Sequence, residues 1–296
     1  MDLARLKGCI TALVTPFTAQ GEVDFDALSA LVRYQIDNDI HGLVPCGSTG
    51  EAATMTETER FEAIRLVVEQ SGGRVPVIAG TGTNGTKSTI ANSLQALEAG
   101  ADAVLVVAPY YNKPTQEGMY LHFSTIAKAI APAPVVLYNV PGRTASNLTP
   151  ETVLRLTEIE NIVALKEASG GLNNTMEILA VRPDFRVFSG EDGLYFPMLA
   201  VGAAGLISVT SNVDPKRMAE IFDAFESGNT AAAKDLFYKL WPLFGAMFYE
   251  TNPIPVKAAL GLMGKIHPTP RLPLTDMTPG ALTRLDAVLK EVGLVQ

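Results

Sequence analysis

The 296-residue sequence has few of the residues that form disulfides or bind metals, with only two cysteines and three histidines. Cys9 and Cys46 are too few for a disulfide framework, and both lie in apolar runs typical of buried free thiols. The histidines stand alone in the sequence, and no carboxylates are clustered with the spacing of metal ligands. We therefore expect no metal site.

Long apolar runs and basic clusters are also missing. No run approaches the roughly 20 apolar residues that a membrane span needs. The N-terminal stretch MDLARLKGCITALV lacks the apolar core and cleavage site of a signal peptide. The formal charge is −8, and the basic residues are scattered singly, which argues against a nucleic-acid surface. These absences predict a cytoplasmic protein with no membrane or nucleic-acid partner, and 47% hydrophobic residues indicate a compact, enzyme-like chain.

One glycine-rich stretch, GTGTNGTKS at 80–88, is similar to a phosphate-binding loop but does not match it. That motif needs a lysine directly after its second glycine, and here Thr86 stands between Gly85 and Lys87. ATP binding is therefore not predicted.

Eight apolar runs without polar alternation are the main fold signal, as expected of parallel strands covered on both faces. They occupy residues 9–17, 42–47, 75–82, 103–110, 134–141, 162–169, 185–192 and 205–212. Helical segments lie between them, and two have clear start signals: Thr56 with Glu59 forms a capping-box pattern, and Thr149 precedes Pro150. The pattern predicts a (β/α)8 TIM barrel, an α/β fold. A doubly wound open sheet is the alternative, but eight units and no dinucleotide fingerprint disfavour it.

The strand signal stops after about residue 213, and four helical segments follow. We expect the first to complete the barrel. The predicted domains are a barrel with the active site at residues 1–226 and a C-terminal helical extension at 227–296.

Lys166 is the most informative residue, because it lies inside the otherwise buried strand-like stretch NIVALKEASG. In a TIM barrel the active site lies at the carboxyl ends of the strands. Desolvation there lowers a lysine pKa and frees the amine to attack a ketone and form a Schiff base. A structural ion pair with Glu167 is the alternative, but neighbouring residues in a strand point to opposite faces.

Other strand ends carry polar groups suited to a small anionic carbonyl compound. Tyr138 ends the fifth run next to Lys166 and is placed to move protons, although core packing is an equally good interpretation. Ser48 and Thr49 offer hydroxyls in a glycine-flanked turn, where plain turn chemistry is common. Arg143 suits a carboxylate, although most exposed loop arginines are simply solvated.

The motifs as a set resemble the dihydrodipicolinate synthase family, within the pyruvate-dependent class I aldolase-like lyases. The shared motifs are TALVTPF, GSTGE, VPVIAGTGTN, PYYNKPTQEG, LYNVPGRT, KEASG, SGED, ISVTSN and NPIPVKAAL. They cover nearly the whole chain in the family's order.

The resemblance implies a role for each of several residues. Lys166 corresponds to the Schiff-base lysine and Tyr138 to the catalytic tyrosine. Ser48 and Thr49 correspond to a hydroxyl pair whose first member relays protons to a second tyrosine, Tyr111, donated by a neighbouring subunit. Arg143 corresponds to the arginine that binds the second substrate's carboxylate. Two further positions, expected to line the pyruvate pocket, are Gly190 and Ile207.

The implied reaction is the condensation of pyruvate with aspartate 4-semialdehyde to 4-hydroxy-tetrahydrodipicolinate, in lysine and diaminopimelate biosynthesis. The resemblance implies no metal or organic cofactor and a homo-oligomer, with a tetramer built as a dimer of dimers expected. Two alternatives remain open. One is a sibling lyase that cleaves N-acetylneuraminate or 2-keto-3-deoxygluconate, and the other is a catalytically silent barrel.

Some family members are inhibited by lysine in a separate effector cleft. The resemblance places that cleft near Asn84 and Tyr110, and both residues are present here. Glu57 and Arg60 replace the histidines of the sensitive pattern, and Ser88 replaces an acidic residue. We therefore expect weak or absent inhibition by lysine.

Overall fold

The computed structural model describes residues 2–296, and its centre is an eight-stranded parallel sheet. The strands are β1 Gly8–Ala12, β2 Gly42–Val44, β3 Ile78–Gly80, β4 Ala103–Val107, β5 Val135–Asn139, β6 Ile162–Glu167, β7 Arg186–Ser189 and β8 Gly205–Ser208. Each strand falls within or overlaps one of the apolar runs identified in the sequence.

Helices follow the strands and continue beyond the last one. They are α1 Phe25–Ile36, α2 Glu57–Ser71, α3 Thr86–Glu98, α4 Gln116–Ile130, α5 Pro141–Thr144, α6 Pro150–Leu156, α7 Asn173–Val181, α8 Tyr195–Ala200, α9 Pro215–Glu226, α10 Thr230–Ala246, α11 Ile254–Leu262 and α12 Pro279–Glu291. No helix within residues 2–296 is long and apolar enough to cross a membrane.

The sheet closes into a barrel, which confirms the predicted TIM-barrel fold. The strand order is β2-β1-β8-β7-β6-β5-β4-β3, and all pairs are parallel. The two remaining edges meet at a parallel bridge between Leu43 and Val77. The doubly wound open sheet is therefore wrong.

Alternation along each strand divides the buried side chains into two cores. One set fills the barrel interior, including Ile10, Val136 and Phe188. The other faces the surrounding helices and forms a larger core. On β6, Leu165 lies in the outer core while Ala164 lies in the inner one, so Lys166 points into the barrel.

The predicted helix starts are present. Thr56 caps α2 with a complete capping box, in which its hydroxyl accepts from Glu59 N and Glu59 accepts from Thr56 N. Thr149 caps α6 and Pro150 takes the first helical position. These caps satisfy amides that the helix itself leaves without partners.

The first strand is shorter than its apolar run suggests, since β1 ends at Ala12 although the run continues to residue 17. After Ala12, the Asn212 side chain binds backbone groups that a neighbouring strand would otherwise bind. Its Oδ1 accepts from Val14 N at 3.0 Å and its Nδ2 donates to Ala12 O at 2.8 Å. A residue about 200 positions away thus ends the strand, which local pattern does not reveal.

Candidate active site

Lys166 lies at the end of β6 with its side chain buried in the barrel mouth. Tyr138 is its register partner on β5, and the Lys166 Nζ is 4.5 Å from the centre of the tyrosine ring. The alternative ion pair with Glu167 is not formed. The Glu167 carboxylate instead accepts from Asn139 Nδ2 at 3.1 Å and from Ser169 N at 2.7 Å.

Burial lowers the pKa of the Lys166 amine to about 8. The Asp192 carboxylate opposes this effect and the Arg143 guanidinium adds to it. At neutral pH about a tenth of such an amine is neutral, compared with less than a thousandth at the ordinary lysine pKa. The site therefore supplies a usable nucleophile.

Tyr138 is buried beside this amine, and burial raises its pKa to about 12. Arg143 and the Ser48 hydroxyl act in the lowering direction, whereas the Glu191 carboxylate acts in the raising direction. The phenol therefore stays protonated at neutral pH and is placed to donate a proton beside the amine.

A cavity of about 520 Å³ opens over Lys166 at the carboxyl ends of the strands. Its polar lining includes Ser48, Thr49, Tyr138, Arg143, Lys166, Glu191, Asp192 and Asn252. Its outer wall is apolar and comes from the C-terminal extension, through Trp241, Phe244 and Phe248. The cavity is large enough for two small carboxylic acids.

Asn252 fixes two of the predicted substrate-binding residues. Its side-chain Nδ2 donates to the Thr49 hydroxyl at 3.0 Å, and its backbone carbonyl accepts from the Arg143 guanidinium at 3.1 Å. Arg143 belongs to the short helix α5 directly after β5; it is exposed, and its contact with Asn252 holds it at the mouth of the cavity that Tyr138 also lines.

Gly190, at the end of β7, lines the cavity where a side chain would not fit. A Cβ there would lie 2.6 Å from the Ala168 Cβ and 3.1 Å from the Lys166 Cε. Ile207, on β8, is buried in the barrel interior and is not among the residues that line this cavity. Val209, two residues further on, lines it instead.

Tyr111 lies outside this cavity, with 88% of its surface exposed and a left-handed backbone (φ 74°). Its amide donates to Thr144 O at 3.3 Å, which ties its loop to α5. The tyrosine is not among the residues that line the cavity over Lys166 of its own chain.

A second cavity, of about 540 Å³, adjoins the first and shares Ser48, Tyr138 and Arg143 with it. Tyr110 and Arg60 line it, and Arg60 donates to Asn92 Oδ1 at 3.3 Å. Asn84 does not line this cavity, and its carbonyl accepts from Asn112 Nδ2 at 2.9 Å. The structure thus brings only part of the predicted effector cleft to one place.

Comparison with known proteins agrees with this geometry. A model of the dihydrodipicolinate synthetase family matches residues 5–292. The chain belongs to this family. It is 51% identical over 290 residues to the 4-hydroxy-tetrahydrodipicolinate synthase of Geobacter sulfurreducens, which covers 98% of this chain and 99% of that protein.

Two solved structures of the family are also similar. The chloride-inhibited dihydrodipicolinate synthase of Acinetobacter baumannii, complexed with pyruvate, gives a TM-score of 0.95 at 41% identity, covering 98% of this chain and 99% of that one. A monomeric dihydrodipicolinate synthase variant gives a TM-score of 0.96 at 44% identity, covering 99% of each chain.

The sequence did not predict the contacts between the GSTGE loop and the C-terminal extension. Glu51 is buried in a left-handed conformation, and its carboxylate accepts from Lys257 Nζ at 2.6 Å and from Arg271 N at 2.9 Å. The Arg271 guanidinium also pairs with Glu59 on α2. These contacts join the C-terminal extension to the loop that carries Ser48. The only sequence signal was the lysine in NPIPVK, within an otherwise apolar helix.

Asp192 was also missed as an individual residue, although it ends the SGED motif. It is buried, and its carboxylate accepts from the Ser208 hydroxyl, from Val209 N at 3.2 Å and from Thr210 N at 3.3 Å. Among residues 2–296, no group of three or more His, Cys, Asp or Glu side chains is arranged to hold a metal ion.

Proposed function

We propose that the protein condenses pyruvate with aspartate 4-semialdehyde to give 4-hydroxy-tetrahydrodipicolinate, a lyase reaction of lysine and diaminopimelate biosynthesis. The observation that supports this best is the buried Lys166 amine beside Tyr138, in a cavity that Arg143 also lines. An amine with a lowered pKa, a protonated phenol and a carboxylate-binding guanidinium are the groups that this condensation needs.

The first stage forms an imine with pyruvate. The neutral Lys166 amine attacks the keto carbon, and the resulting carbinolamine loses its hydroxyl as water with a proton from Tyr138. The hydroxyls of Ser48 and Thr49 line the same cavity and are suited to the pyruvate carboxylate. The Tyr138 phenoxide that the loss of water leaves then takes up a methyl proton, which gives an enamine, and the imine nitrogen accepts the electron pair.

The second stage forms the carbon–carbon bond. The enamine carbon attacks the aldehyde of the second substrate, and the aldehyde oxygen takes up a proton to become the product hydroxyl. The substrate's ammonium group gives up a proton, which balances the one that the aldehyde oxygen takes up, and the resulting free amine then displaces Lys166 from the imine carbon and closes the ring. The lysine leaves as a free amine, and the net reaction releases one water. Holding two anionic substrates together in one cavity supplies much of the rate.

No metal or organic cofactor is part of the proposed reaction, because the lysine imine itself accepts the electron pair that loss of the methyl proton leaves on carbon. The cytoplasm stays the predicted compartment.

A homo-oligomer is part of the same proposal. Tyr111 is highly exposed and does not line the cavity of its own chain, so its predicted proton-relay role requires a second copy of the chain. Two further exposed apolar side chains, Leu94 on α3 and Leu121 on α4, lie on neighbouring helices and are suited to such a contact. We propose a tetramer built as a dimer of dimers, and sedimentation velocity tests it: a fully active monomer contradicts the role of Tyr111.

A substrate panel tests the reaction. We expect turnover of pyruvate with aspartate semialdehyde, and little cleavage of N-acetylneuraminate or 2-keto-3-deoxygluconate. Lys166→Met should abolish turnover, and Tyr238→Phe, on the exposed part of α10 away from the cavity lining, is the matched control that should retain it. Faster cleavage of a sugar acid than condensation of the aldehyde would overturn the proposal.

A further inference from the structure

A buried polar pair lies on the outer faces of β5 and β6, directly behind Tyr138 and Lys166. The strand register pairs Tyr138 with Lys166 and, one residue further on, Asn139 with Glu167. Because neighbouring residues in a strand point to opposite faces, Asn139 and Glu167 face away from the cavity, and neither lines it. Both are buried, and the Asn139 Nδ2 donates to the two carboxylate oxygens of Glu167 at 3.1 and 3.3 Å.

The pairing of β5 with β6 shifts by one residue near the amino ends of the strands. Val135 pairs with Ile162, but Val136 pairs with Ala164, so Val163 is an extra residue in β6. Val163 and Ala164 both lie in the inner core, which breaks the alternation of faces at this point. A slip of one residue turns every side chain of a strand to its other face. The correct pairing at the carboxyl ends therefore depends on contacts made there.

The bonds around the polar pair determine which side chain donates and which accepts. Asn139 Oδ1 accepts from Leu148 N at 2.9 Å, so its Nδ2 is the group that faces β6, and that nitrogen also donates to Asn147 Oδ1 at 3.0 Å. Glu167 accepts a further bond from Ser169 N at 2.7 Å. Within residues 2–296 no lysine, arginine or histidine pairs with the Glu167 carboxylate. Since a buried carboxylate is costly without partners, its position depends on these neutral donors.

We propose that Asn139 and Glu167 are positioning residues for imine formation, because their hydrogen bond fixes the register at which Tyr138 and Lys166 face the cavity together. This inference rests on the proposed function, in which the Lys166 amine captures pyruvate beside the phenol. Proton transfer requires donor and acceptor atoms about 2.6 to 3.2 Å apart, and a displacement of about 1 Å can cost a hundredfold in rate. Strand ends that the pair no longer holds let the amine and the phenol move relative to each other.

Exchanging the donor and the acceptor tests the inference. Glu167→Gln leaves two amide donors facing each other, and Asn139→Asp leaves two carboxylates facing each other. The double variant restores the hydrogen bond in the opposite direction, and Asn147 is exposed, so its amide can turn to donate to the introduced aspartate. Each single variant should form the pyruvate imine about ten- to a hundredfold more slowly, and the double variant should recover to within about fivefold of the unmodified protein.

The imine is measured by quenching with borohydride at successive times, and each rate is expressed per folded molecule, with the folded fraction taken from urea unfolding. Burial, Asp192 and Arg143 shift the pKa of Lys166 to about 8. Variants of the polar pair should therefore lower the limiting rate and leave the midpoint of its pH profile unchanged. Asn174→Ala is the matched control, because Asn174 donates to the same carboxylate at 3.5 Å but from α7 and not from β5. Its imine rate should change by less than about threefold.

Three results would overturn the inference: a double variant no faster than the slower single variant, single variants that lose stability but keep the normal rate per folded molecule, or a shifted pH midpoint in Glu167→Gln. The last result would mean that the charge acts on the amine directly. If the single variants do not fold, Glu167→Asp replaces them, because it keeps the charge and shortens its reach. That variant should slow the imine about three- to tenfold, and an unchanged rate would refute the positioning role.

The same experiment separates this inference from the proposed function. An unmodified protein that traps pyruvate on Lys166 but does not condense aspartate semialdehyde would overturn the proposed reaction, while the imine rates of the variants still decide the role of the polar pair. An unmodified protein that traps no pyruvate would overturn both.

Discussion

Replacing the buried amine with a neutral side chain of similar length, Lys166→Met, is predicted to stabilise the protein while abolishing activity. The Lys166 pKa is about 8 in the folded protein and 10.5 as the ordinary value. A difference of about 2.5 pKa units corresponds to a destabilisation of about 3 kcal/mol. Methionine fills the same space without the desolvated charge.

The pH dependence of this effect has a defined sign. Below pH 8 the lysine is protonated in both states, so the folded protein bears the full destabilisation. Between pH 8 and 10.5 the unfolded state binds more protons, and stability of the unmodified protein rises with pH. The advantage of the methionine variant should therefore be about 3 kcal/mol at pH 7 and fall to about 1 kcal/mol near pH 9.5.

Equilibrium urea unfolding of both proteins at the two pH values measures this difference. Lys257→Met is the matched contrast, since that lysine is also buried but is paired with Glu51 at 2.6 Å. Breaking a buried pair leaves an unpaired carboxylate and should destabilise by about 3 to 5 kcal/mol. A Lys166→Met protein that is less stable than the unmodified one, or an advantage independent of pH, would refute the argument that the amine is desolvated.

Three further predictions concern these two cavities. Arg143→Ala should raise the KM for the aldehyde by about tenfold or more but leave the KM for pyruvate nearly unchanged; equal effects in steady-state kinetics would contradict its assigned role. Gly190→Ala should lower kcat and destabilise by about 1 to 3 kcal/mol, because its Cβ collides with Ala168; unchanged kinetics and melting temperature would count against this crowding. Millimolar lysine should inhibit weakly or not at all, since Arg60 replaces a histidine of the sensitive pattern; strong loss of activity in the assay would show that reasoning to be wrong.

Much of the fold follows from local pattern. Unalternating apolar runs predict parallel strands because both faces of such strands are covered, and the capping signals at Thr56 and Thr149 locate helix starts within a residue. The meeting of Lys166 and Tyr138 also follows from sequence, because adjacent strands of a barrel bring their ends together.

Local sequence patterns do not predict the contacts between segments that lie far apart in the chain. Asn252 bonds to Thr49 across 203 positions, and Lys257 pairs with Glu51 across 206. Such contacts depend on how the C-terminal extension returns over the barrel mouth, which periodicity and capping do not determine. The same limit applies to Ile207: its strand is predicted from the apolar run, but its depth in the barrel interior depends on the register of β8.

Borohydride reduction of the protein mixed with pyruvate, followed by peptide mass mapping, tests the central claim most directly. The account predicts one reduced pyruvate per chain, on the peptide that contains Lys166, and none on the peptide that contains Lys257. Reduction that tags another lysine, or no lysine at all, would contradict it.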